Sequence, residues 1–106
     1  MEACGMGLRE SAAGHDRIVS ELNEERAAAL VRISRVLESL IDQLHATRVR
    51  MESLGEFDAE RETARYRELH RMATEYRWFL EVQREAIGLR QHHMLDEFYV
   101  IPPAIR

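Results

Sequence analysis

Lysine is absent from this 106-residue chain, cysteine occurs once and proline twice. The lone Cys4 has no intramolecular partner, so a disulfide framework is excluded and a reducing cytoplasm is the expected location. Two prolines and five glycines are too few for an all-β chain, which needs turn residues every eight to twelve positions or about that. No window approaches the roughly 18 uninterrupted apolar residues of a membrane span. Residues 1–16 hold no apolar stretch of signal-peptide length, so neither membrane insertion nor export by the usual route is expected.

There is also no excess of positive charge. Fifteen arginines face 19 acidic residues, and the formal net charge of −4 leaves no basic field to recruit nucleic acid or an anionic membrane. The arginines are scattered among glutamates, which fits a GC-rich, bacterial-like coding bias better than a phosphate site. Nor does the chain contain a Gly-rich phosphate loop, a nucleophile elbow or a paired-cysteine motif. No catalytic residue is assigned and no cofactor is implied.

What remains is helical. With 45% hydrophobic and 32% charged residues, the composition is that of one small α-helical domain. Residues 1–15 hold three of the five glycines and no apolar stripe, and read as a flexible leader. Asp16 offers an N-cap for a first helix over 16–54, in which Leu30, Ile33, Leu37, Leu40, Leu44, Met51 and Leu54 recur at spacings of three and four. Thr47 fills the one polar slot, and Val36 and Ile41 widen the stripe. Gly55 suits a left-handed C-terminal cap, Asp58 an N-cap and Glu60 the first turn of a second helix.

That second helix is expected over 58–98, with Tyr66, Leu69, Ala73, Tyr76, Leu80, Ile87 and Met94 as its seam. Each rod would span about 60 Å. Folding at the turn pairs Leu44 with Leu69, Leu37 with Tyr76 and Ile33 with Leu80, a long antiparallel helical hairpin. Pro102 and Pro103 forbid continuation, so 99–106 should leave as an extended tail. The stretch 76–89 is apolar around most of its circumference, more than one partner helix can cover. The expectation is therefore a homodimer forming a four-helix bundle, with Trp78, Phe79, Val82, Leu89, Tyr99 and Ile101 as interaction residues.

Several positions break the pattern. Asn23, Arg26, Gln83 and Arg90 fall on the seam, either as a polar network that fixes register or as rim residues where the first helix drifts in phase. Gly88 inside a helix costs about 1 kcal/mol relative to alanine, and a close approach to the 27–29 alanine run would explain it. His92 with Asp96, and His93 with Glu97, stand at i and i+4 and share helix faces that can chelate a metal, although one helix supplies only two ligands per face. No Glu-x-x-His pair of the di-iron type occurs. His45 and His70 read as solvated surface. The pairs Arg61 with Arg65 and Arg67 with Arg71 are the best case for nucleic acid, but Glu60, Glu62, Glu68 and Glu75 interleave them, so ion-pair lacing of an exposed helix is the simpler account.

The functional expectation is a non-catalytic protein–protein interaction module, with a metal- or ligand-binding bundle built on 92–97 as the alternative. The tail poses a separate question. Either Phe98 and Ile101 plug the open end of the hairpin near Ile18, Val19 and Leu22, or 99–103 is a docking peptide for another protein.

Overall fold

A computed structural model describes the backbone of residues 2–105 and the side chains of 14–55 and 59–105. Three helices follow one another: α1 (Glu2–Ser53), α2 (Glu56–Ala86) and α3 (His93–Phe98). Among the described residues there is no strand. The two long helices pack side by side as an antiparallel hairpin, and the molecule measures 83 × 23 × 16 Å.

The hairpin seam follows the expected spacing. Leu37, Leu40 and Leu44 of α1 are buried with Tyr66, Leu69, Ala73 and Leu80 of α2. Two cross-helix contacts fix the register at either end. Arg50 Nε lies 3.7 Å from Glu62 Oε2, and Arg26 Nη1 donates to the Ala86 carbonyl at 3.2 Å, one residue from its expected neighbour Ile87. Thr47 is fully buried yet satisfied, because its Oγ1 donates to the Gln43 carbonyl one turn back at 2.7 Å. Val36 and Ile41 differ: Ile41 is packed against the core and Val36 is exposed.

The helix boundaries depart from expectation in three places. First, α1 begins at Glu2, so the segment read as a leader is helical and Asp16 lies inside the helix. Extending an existing helix avoids the nucleation cost that an isolated segment meets, and this offsets three dispersed glycines. Second, Gly55 is the N-cap of α2 with φ −74° and ψ 170°, not a left-handed cap of α1. Its carbonyl accepts from Ala59 N at 3.0 Å. At the end of α1, Ser53 Oγ donates to the Arg50 carbonyl at 3.0 Å, so a side chain does the work assigned to glycine. Asp58 sits within α2 and its side chain lies outside the described residues.

Third, α2 stops at Ala86, twelve residues short of the expected end at 98. Gly88 adopts φ +92°. Its N–H donates to Glu85 O at 3.0 Å and that of Leu89 to Arg84 O at 2.9 Å, the paired bonds of a Schellman motif. A Cβ at Gly88 would meet nothing within 4 Å, so close helix approach is not the reason for the glycine. Its backbone conformation is.

The chain then reverses. Helix α3 carries Leu95 into the core, and Tyr99, Ile101 and Ile105 pack against that core in turn. Asp96 meets Arg77, Pro102 meets His70 and Pro103 meets Tyr66. As the tail advances its partners step backward along α2, so it runs antiparallel to that helix. The tail is thus folded back, but along the hairpin. It does not plug the open end: Phe98 is 69% exposed, and Ile18, Val19 and Leu22 are exposed as well.

Candidate interaction surface

The residues that hold the tail are Tyr66 and His70, one turn apart on α2. Tyr66 is fully buried, and a buried phenol requires a partner for its hydroxyl. It donates to the Pro103 carbonyl at 2.7 Å. His70 Nε2 bonds the Pro102 carbonyl at 3.1 Å, and since a carbonyl can only accept, Nε2 carries the proton. The two rings stack with centroids 6.3 Å apart. His70 is therefore half-buried and structural, not solvated surface. The one available signal was its four-residue spacing from Tyr66, which places both on one face. His45 is exposed, as expected.

The 92–97 segment divides among separate partners. His92 is the N-cap of α3 rather than a residue within a helix, so it does not share a face with Asp96. Its Nε2 lies 3.0 Å from Glu85 Oε1. Asp96 is 2.5 Å from Arg77 Nη2, and the same guanidinium bonds Glu81 at 2.6 Å. His93 and Glu97 are both exposed. No group of three or more His, Cys, Asp or Glu is placed to hold a metal ion among the described residues. The early end of α2 leaves His92 outside a helix, and only His93 with Glu97 keeps the i, i+4 relation, as one exposed pair on α3.

The polar seam resolves into rim contacts. Arg26 caps the C-terminal end of α2 through the Ala86 carbonyl, where a cation is favoured. Asn23 and Arg90 are exposed and Gln83 is half-buried, and no hydrogen bond joins the four. On the outer face of α2, Arg71 pairs with both Glu68 and Glu75, at 2.7 and 3.2 Å. Its hydrogen bond and charge hold the Glu68 carboxyl below the usual carboxylate range. At Arg71 this is ion-pair lacing of a solvated helix.

Exposed apolar side chains are a larger feature. Trp78 is 59% exposed, and Val82, one turn on, is exposed too. They lie about 140° and 180° around α2 from the buried Ala73, on the side away from α1. Phe79 is half-buried between Tyr76 and Trp78, each ring centroid 5.6 Å away. Leu89 is exposed in the turn after α2. Of the expected interaction residues, Tyr99 and Ile101 instead pack on their own chain's core. A cleft of about 200 Å³ lies between Leu30, Leu80, Arg84, Met94 and Phe98, and another of about 440 Å³ between Arg84, Gly88, Leu89, Gln91, His93 and Met94. No helix of the described residues is long and apolar enough to cross a membrane.

Comparison with known proteins returns no matching family model, no matching curated protein and no matching solved structure. The functional reading therefore rests on the chain's own residues.

Proposed function

We propose that the chain is a non-catalytic protein–protein interaction module, an adaptor or assembly subunit that acts as a homodimeric helical bundle in a reducing cytoplasm. One observation carries this reading: among the described residues, thirteen large hydrophobic side chains are exposed, against eight hydrophobic residues in the core. Scattered exposed leucines need no explanation. Here, however, Trp78 and Val82 occupy one face of α2, and the Phe79 ring lies 5.6 Å from the indole. Aromatic anchors of that kind are enriched at the centres of interfaces.

In the dimer, the outer faces of two α2 helices meet at Trp78 and Val82, and the folded tails remain on their own hairpins. The metal-binding alternative is the less favoured reading, because His92 and Asp96 are engaged by Glu85 and Arg77 and only His93 with Glu97 is left as a pair. Light scattering after size exclusion tests the proposal. A dimer at micromolar concentration that becomes monomeric on Trp78→Ser with Val82→Ser is the expected result. A monodisperse wild-type monomer would overturn the homodimer.

A further inference from the structure

We propose that the arm of α1 preceding Arg26 docks a basic amphipathic helix of another protein. The arm exists because the helices differ in length. Arg26 meets the last turn of α2, and α1 continues for 24 residues beyond that point, from Glu25 back to Glu2, or about 36 Å of helix.

The apolar seam does not stop where α2 does. Stepping back from Leu37 and Ile33 in threes and fours passes Arg26 and reaches Leu22 and Val19, with Ile18 beside them. These residues share the phase of the buried seam and are 44%, 41% and 58% exposed. The residues that a longer α2 would have set against them are in α3 and the turn before it, because Gly88 reverses the chain.

Charge identifies the occupant. Residues 1–25 hold six acidic residues and two arginines, a formal −4, whereas 26–106 hold thirteen of each, a formal zero. The whole net charge of the chain therefore lies on the arm. On the helix, Glu25 and Asp16 border the apolar stripe on opposite sides, with Glu21 behind Glu25. Pairing two arms from two copies would set acid against acid along both edges, and the neutral hairpin body offers no complement. Anionic lipid and nucleic acid are repelled for the same reason. A helix with an apolar stripe flanked by Lys or Arg satisfies both the seam and its borders.

This rests on the interaction-module reading, names a partner class for it, and does not require the hairpin to dimerise. The probe is a fluorescently labelled helical peptide of about three heptads with leucine at the seam and lysine at the flanks, beside a twin with glutamate at the flanks. Full-length protein is titrated into each and anisotropy is followed. The lysine peptide should bind at low salt and the glutamate twin should not. Ile18→Ser with Leu22→Ser, which leaves every charge in place, should weaken binding about tenfold or more. Glu21→Lys with Glu25→Lys should transfer preference to the glutamate peptide. A circular-dichroism melt verifies that these variants fold, since the altered residues lie outside the core. Failure of the lysine peptide to bind would overturn the proposal, as would binding that ignores the serine substitutions, which is charge attraction alone. Conversion of a dimer to a monomer by the serine pair would show a second copy on the arm and overturn it too. A dimer that persists while the titration stays silent would remove the arm and leave the module reading standing.

Discussion

Two parts of α1 carry the same apolar stripe and meet opposite fates. From Leu30 to Met51 the stripe faces α2 and the returning tail, and Leu37 and Leu44 are completely buried. From Ile18 to Leu22 it faces solvent. Periodicity is the same in both; what differs is whether the chain supplies a second surface. A seam shows only where a helix is able to pack, and the backbone at a distant glycine decides where it does.

The comparison is broken most severely at its centre. Leu44→Ala should cost about 4 kcal/mol in urea unfolding, the sum of lost transfer free energy and a residual cavity. Leu22→Ala on the arm should cost about 0.5 kcal/mol or less, as a substitution at an exposed site does. Equal costs would mean that the arm is packed in the free protein. Next in size, truncation after Glu97 should remove about 3 kcal/mol and lower the melting temperature. Tyr99, Ile101 and Ile105 leave the core, and Tyr66 loses its acceptor. A truncated protein that melts as the full chain does would return the tail to the role of an outward docking peptide.

These contrasts also mark what could be read from the sequence. The hairpin, the place of its turn and its approximate register were legible because spacings of three and four residues recur on both sides of Gly55, and the Arg26 to Ala86 and Arg50 to Glu62 contacts lie one residue from that register. The end of α2 was not legible. The apolar period runs on through Ile87 and Met94, and a glycine within such a period looks like a small penalty, not a stop. Nor was the pairing of Tyr66 and His70 with Pro103 and Pro102, since it joins residues more than thirty positions apart. The N-cap position of His92 was not legible either, since it follows from where α2 ends. The exposure of Trp78 and Val82 was foreseen, because a helix apolar on most sides cannot be covered by one neighbour.

Smaller changes sharpen the same contrast. Tyr66→Phe keeps the buried ring and deletes one donor, so it should cost about 1.5 kcal/mol, with the Pro103 carbonyl left unpaired. Amide exchange should then accelerate in the tail before it does in α1. Gly88→Ala should cost about 1 kcal/mol, because φ +92° strains any residue with a Cβ although the site is open. Gly55→Ala, at φ −74°, should be close to neutral in the same melt.

The central claim is that α1 is one continuous helix with a covered half and an uncovered half. Hydrogen–deuterium exchange of the free protein, resolved along α1, tests it most directly. The account predicts slow exchange over 33–51, where opening requires global unfolding, and exchange orders of magnitude faster over 14–25, where no tertiary contact opposes fraying. Uniform protection from residue 14 to residue 51 would contradict it.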